Sequence, residues 1–295
     1  MADVSESTLL PQLIVPQLIV SDLDGTFLSP DGTVSEQNRA AVQAAQSAGI
    51  PVLFATGRPV RWLDVIRGLP GAHPTVIASN GAVLYDLGSE EMLDRLCLDP
   101  EVALQAVRAI RAALPDAGFA FESGTRFGYE AAYATVRTDD GTDPAIFRGV
   151  AEELARRDDC VKMLVQDRTR GSDELLVAVT ALLGDSLTVT HSAAGGHGLV
   201  EISGPGVSKA SMLQRCCLRL GVEPRRVAAF GDMPNDVDML SFAGMPHVVA
   251  NAHPLLLDGS YPVVPANSES GVGQTIQRWA AAARQGAPAL PVPTP

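Results

Sequence analysis

The chain has 295 residues, 46% hydrophobic and 19% charged, a globular composition long enough for about two compact units. Its net charge of −12 and isoelectric point near 4.8 argue against nucleic acid or an anionic membrane as a partner. No apolar run reaches the roughly 20 residues that span a bilayer, and the acidic start lacks the basic region of a secretory leader, so a cytoplasmic protein is expected.

Residues 1–15 read as a flexible leader, in which Pro11-Gln-Leu-Ile-Val15 is repeated at once as Pro16-Gln-Leu-Ile-Val20. The second copy supplies a short apolar strand, Gln17 to Val20, that runs straight into Asp22-Leu23-Asp24-Gly25-Thr26. Side chains two apart on a strand share a face, so both carboxylates are expected in one small volume. Their repulsion is tolerated where a hard divalent cation and acid–base chemistry use it. The same residues also have the composition of a plain turn.

Helix is expected over Val34 to Ala48, with Ser35 as N-cap and Gly49 as the stop. A buried strand over Val52 to Ala55 follows, then a short helix over Arg61 to Gly68 and a strand over Thr75 to Ala78. Such alternation implies parallel strands with right-handed crossovers. The middle reads as a separate α+β unit over residues 85–204, with helices near 100–114, 144–157 and 172–183 and five candidate strands. Beyond it come an amphipathic helix over Ser208 to Leu220, a strand over Val227 to Phe230, and short strands at Val248-Val249 and Val263-Val264. Residues 16–84 and 205–285 then form one domain, and the proline-rich tail 286–295 is expected to be disordered. The cysteines Cys97, Cys160, Cys216 and Cys217 lack metal-ligand spacing and read as reduced structural thiols.

Three further segments join the aspartates at expected strand ends, where a parallel sheet forms its crevice. Thr56-Gly57-Arg58 offers a hydroxyl and glycine amides suited to a phosphate oxygen, although it also suits a turn. Lys209 opens a helix behind Ser208, where its charge opposes the helix dipole unless an anion sits there. Gly231-Asp232-Met-Pro-Asn235-Asp236 repeats the theme of acids at a strand end. Of 22 basic residues only Lys162 and Lys209 are lysines, which suggests that a compact ammonium is needed where lysine persists.

In this order the four segments resemble the signature of the haloacid dehalogenase superfamily, with Cof-like echoes at Ser79-Asn80-Gly81-Ala82, Gly206-Val-Ser-Lys209 and Ala250-Asn251-Ala252. The resemblance implies an α/β fold, a Rossmann-like parallel-sheet core carrying an inserted α+β cap. With 153 positions between Thr56 and Lys209, the insertion resembles the type IIB cap of Cof-type phosphatases. It implies Asp22 as nucleophile, Asp24 as acid and base, and Mg²⁺ held by Asp22, the Asp24 carbonyl and Asp232. It places Asp236 behind these, orienting Lys209 or a water, and gives the Leu23 and Gly57 amides, Thr56, Lys209 and Asn235 as phosphate contacts.

The implied function is a Mg²⁺-dependent phosphatase acting on a small phosphate ester, a sugar phosphate or a phosphorylated cofactor, as a monomer or homodimer. Dehalogenases of the superfamily lack an acid equivalent to Asp24 and ion-pumping ATPases carry threonine there. A phosphosugar mutase is the enzymatic alternative, and a non-catalytic binding protein of the same fold is the other. Within the inserted unit, Arg126, Tyr129 and Arg137 lie near an expected hairpin that could face the crevice, and His191 and His197 read as loop residues.

Overall fold

The computed structural model describes residues 14–133, 145–192 and 197–286. The expected leader, tail and Arg137 therefore lie largely or wholly outside the described residues; of the first Pro-Gln-Leu-Ile-Val copy only Ile14 and Val15 are described, and Val15 is buried.

The first half of the core runs β1 (Leu18–Ser21), α1 (Glu36–Ser47), β2 (Val52–Ala55), β3 (Ala72–Ala78), β4 (Val83–Asp86) and β5 (Glu91–Arg95). Ser35 caps α1 by accepting from the Asn38 amide, as its sequence position requires. The inserted unit runs α2 (Pro100–Ala113), β6 (Gly118–Glu122), β7 (Phe127–Tyr129), β8 (Ile146–Arg148), α3 (Ala151–Leu154), β9 (Lys162–Asp167), α4 (Ser172–Leu183), β10 (Thr188–Thr190) and β11 (Gly198–Ser203). The chain then returns through α5 (Lys209–Leu220), β12 (Val227–Gly231), α6 (Val237–Phe242), β13 (Met245–Val249), β14 (Val263–Val264) and α7 (Gly271–Arg284).

The core sheet has eight strands in the order β14-β13-β12-β1-β2-β3-β4-β5, parallel from β14 to β3 and antiparallel from there to β5. The continuously apolar sequences of β1, β2 and β12 follow from burial on both faces. Because β1 lies between β12 and β2, the chain segments leaving all three emerge side by side, and these carry Asp22, Asp232 and Thr56.

The second sheet has six strands in the order β10-β11-β9-β6-β7-β8, antiparallel except for β7 with β8. Alternation sorts its side chains. Phe119, Phe121, Met163, Val165, Val200 and Ile202 share a hydrophobic core with α2 and α4, while Glu122, Lys162 and Glu201 fall on the opposite face.

Three expectations need correction. The short helix expected from Arg61 to Gly68 is two tight turns, Val60–Trp62 and Asp64–Ile66, closed by bonds from Leu63 N to Val60 O and from Ile66 N to Leu63 O. The helix expected near 144–157 is strand β8 followed by the short α3; Gly149 between them weakens a continuous helix, and Ile146–Arg148 pairs with β7 instead. The domain boundary expected at residue 85 falls inside β4, and the core sheet continues to Arg95. β5 was hidden because Glu91, Asp94 and Arg95 give this edge strand a charged, unstrandlike sequence.

Candidate active site

β1 ends at Ser21, and the chain turns at once. A single wide turn over Leu23–Phe27 closes when Leu28 N donates to Leu23 O at 2.8 Å. Gly25 takes φ +80° within it, and a Cβ there would overlap the Asp232 carboxylate, so only glycine lets the turn approach that side chain. The turn reading and the site reading of this segment therefore describe the same residues.

Asp22 points into the protein. Its Oδ1 receives a hydrogen bond from Lys209 Nζ at 2.5 Å, and the same ammonium donates to Asp236 Oδ1 at 2.7 Å. Lys209 is fully buried in the first turn of α5. The helix is set there by Ser208, whose hydroxyl accepts from the Ser211 amide, and by Gly81, whose missing side chain lets the chain after β3 meet the Ser208 carbonyl. Asp236 is saturated: its Oδ2 accepts from the amides of Asp232 and Met233 at 3.0 and 3.1 Å. Asp232 accepts from the Thr26 hydroxyl at 2.7 Å.

Carboxylate oxygens of Asp22, Asp232 and Asp236 all lie within 4.8 Å of one another. Three buried carboxylates face one ammonium, and the imbalance shows at Asp22 and Asp232. Burial, with repulsion from Asp236 and Asp232, pushes the Asp22 carboxyl well above its ordinary range despite Lys209. Burial and Asp236 push Asp232 up to about 7. Burial disfavours the Lys209 ammonium, but Asp22 and Asp236 outweigh it and raise its pKa. An all-oxygen, anionic, under-compensated cluster fits a hard divalent cation.

Asp24 departs from the expectation that both carboxylates enter one volume. With the strand ended, alternation no longer applies, and Asp24 turns outward to a two-pronged pair with Arg58, its side chain 57% exposed. Thr56 and Gly57 sit at the end of β2. The Thr56 hydroxyl oxygen accepts from the Arg58 amide at 3.0 Å, so its own proton is available to a ligand. Asn235 donates to Asn80 Oδ1 at 3.0 Å.

The sequence reading missed most of the residues that join the two sheets. Arg61 forms a two-pronged pair with Glu122, its guanidinium carbon 5.0 Å from the Trp62 ring centre and 5.1 Å from that of Phe127. Lys162 Nζ reaches Glu201 Oε1 at 2.5 Å and the Gly57 carbonyl at 2.8 Å. His191, read as a loop residue, is buried with Nε2 2.9 Å from Asp173 Oδ1, and His253 Nε2 lies 3.3 Å from Asp173 Oδ2. Arg126 and Tyr129 engage Phe147 and Arg148 within their own sheet layer. Lys162 stood out in the sequence as one of two lysines, but that gave it no role, and its persistence weakened the case for Lys209.

Residues 19–276 match the sequence profile of the haloacid dehalogenase-like hydrolases. The chain belongs to that family. Its organisation is that of a Cof-type phosphatase with a type IIB cap. An HMP-PP phosphatase of Cronobacter sakazakii is 27% identical over 270 residues, covering 88% of this chain and 93% of the relative. The fold is shared with BT1666 from Bacteroides thetaiotaomicron, a phosphatase of the superfamily, at TM-score 0.75 and 23% identity over 92% of this chain and 98% of that one. It is shared equally with the subclass IIB sugar phosphatase BT4131, at TM-score 0.74 and 18% identity over 89% and 98% of the two chains. Among the described residues no helix is long and apolar enough to cross a membrane.

Proposed function

We propose that this phosphatase is Mg²⁺-dependent and hydrolyses a small phosphorylated metabolite, a sugar phosphate or a phosphorylated cofactor, through an aspartyl-phosphate on Asp22. The observation that carries the reading is the Asp22 carboxylate, fixed by buried Lys209 at the end of β1 and facing Asp232 from the neighbouring strand β12. With Oδ1 engaged by Lys209, attack on phosphorus falls to Oδ2. The new bond from Asp22 to phosphorus forms as the ester P–O bond breaks, and Asp24 gives its proton to the departing alkoxide. Asp24 then takes a proton from the water that cleaves the aspartyl-phosphate and restores Asp22.

Asp22, the Asp24 carbonyl and Asp232 would hold Mg²⁺, which when bound neutralises the crowded carboxylates and the phosphoryl charge. Asp236 holds Lys209 in place. Thr56, the Gly57 and Leu23 amides, Lys209 and Asn235 donate to the phosphoryl oxygens, so that most of the site positions rather than reacts. The leaving-group class follows the relatives: one is named for HMP-PP and another for a sugar phosphate.

A panel of phosphorylated sugars and cofactor precursors, read by inorganic phosphate release, tests the reading. Release that needs Mg²⁺ and stops in EDTA is expected. Isomerisation of a sugar phosphate without net phosphate release would replace it with the mutase alternative.

A further inference from the structure

Both lysines of the chain are buried in ion pairs, and only Lys209 belongs to the reaction described above. Lys162 lies on the inserted sheet, 2% exposed, and spends one of its protons on the core: the Gly57 carbonyl. That carbonyl belongs to the Gly57–Arg58 peptide, whose N–H is donated to the Thr56 hydroxyl. The peptide is therefore gripped on both sides, by Lys162 at its oxygen and by Thr56 at its nitrogen. Its orientation fixes where the Thr56 proton can point.

Glu201, the partner of Lys162, reaches the other side of the same site. Its Oε2 accepts from Asn80 Nδ2 at 3.0 Å, and Asn80 Oδ1 accepts from Asn235 Nδ2 at 3.0 Å. Ser192 also donates to Glu201 Oε2 at 3.0 Å. Asn80 is held in a left-handed conformation, φ 57°, while its amide bonds to the Thr56 carbonyl at 3.0 Å. Burial works against the Glu201 anion, yet the Lys162 ammonium and the Asn80 and Ser192 donors hold its carboxyl below the ordinary range. Asn80, Lys162 and Glu201 are all buried, and Ser192 closes the network at its exposed margin.

We propose that the Lys162–Glu201 pair of the inserted cap is a positioning device for the phosphate cradle, setting Thr56 through the Gly57 carbonyl and Asn235 through Asn80. The proposal rests on the phosphatase reading above. Cap seating and phosphate affinity are then one event, because the cap supplies the charges that aim donors belonging to the core. Lys162 and Glu201 touch neither substrate nor metal; they act through Gly57 and Asn80.

The test compares Lys162→Met/Glu201→Gln with wild type and with Asp173→Ala, which removes the contacts to His253 on the core and to His191 within the cap but leaves Lys162, Glu201 and Asn80 in place. Removing both charges leaves no lone buried ion. Inhibition by inorganic phosphate and by vanadate is measured beside the Mg²⁺ half-activation concentration. The double variant is expected to bind both oxyanions roughly tenfold more weakly, as for loss of a charge-assisted hydrogen bond, with Mg²⁺ activation unchanged. Asp173→Ala is expected to retain wild-type phosphate inhibition. Unchanged inhibition in the double variant, or equal weakening in both, overturns the proposal. Where the double variant fails to fold, Asn80→Gly keeps the left-handed backbone and cuts only the Glu201–Asn235 link; wild-type phosphate inhibition there overturns it as well. A wild-type chain that neither releases nor binds phosphate would sink the phosphatase reading instead, a distinct result.

Discussion

Asp24 and Arg58 meet as a two-pronged pair: the guanidinium Nε lies 2.7 Å from one carboxylate oxygen and an Nη lies 2.6 Å from the other. The same guanidinium donates to the Trp62 carbonyl at 3.1 Å, which ties the pair to the turn that also carries Arg61. Arg58 therefore controls where the proposed acid and base rests between encounters with substrate. An exposed pair of this kind contributes only about 0–1 kcal/mol to stability. Arg58→Ala is expected to leave the melting temperature nearly unchanged and to lower kcat roughly tenfold, a shift of about 1.4 kcal/mol. In an Asp24→Asn background the same substitution should add little. Fully additive losses in kcat would separate the two residues.

Lys209 bridges Asp22 and Asp236 from a position with no solvent exposure. Lys209→Met leaves those carboxylates without their ammonium, a cost of about 3–5 kcal/mol for a broken buried pair. Urea unfolding in EDTA should show that loss, and added Mg²⁺ should restore part of it by taking over the missing positive charge. Stability equal to wild type in EDTA would mean that the carboxylates are already neutral.

The strand ends that carry the site were legible because each is a short apolar run broken by glycine and polar residues, with acids after β1 and β12 and Thr56 after β2, and the three strands are neighbours in the sheet. Less legible was anything that depends on two elements distant in sequence. Arg61 and Glu122 are 61 residues apart, Lys162 and Gly57 105, and Asn80 and Glu201 121; no local pattern announces such pairs. Glu122, Lys162 and Glu201 look like exposed positions on alternating strands until a second sheet covers them. Asp24 was placed correctly in sequence and wrongly in space, since alternation was carried three residues past the end of its strand.

Asp232 offers a pH test. Its folded pKa is raised from 3.8 to about 7, so between those values the folded chain holds a proton that the unfolded chain has released. That contribution to stability is fully present below the lower value and is lost as pH rises through the upper one. Asp232→Asn cannot titrate. In EDTA, the stability of wild type relative to this variant should fall as pH rises across this window, and Mg²⁺ should reverse the fall. A difference that grows with pH would contradict the assignment.

Gly25→Ala introduces a methyl group at φ +80° against the Asp232 carboxylate. Strain of roughly 1–3 kcal/mol is expected for that backbone region, together with displacement of Asp232. The Mg²⁺ concentration for half-maximal activity should rise at least severalfold, while the separate Lys209–Asp22 contact keeps its geometry. An unchanged Mg²⁺ requirement would show that Asp232 does not hold the cation.

The most direct measurement is acid quenching during turnover, followed by mass spectrometry of the peptide that contains Asp22. One added phosphoryl group on Asp22, absent from Asp22→Asn and from an EDTA-treated sample, is the expected result. A phosphoryl group on any other residue, or wild-type turnover by a folded Asp22→Asn chain, would contradict the account.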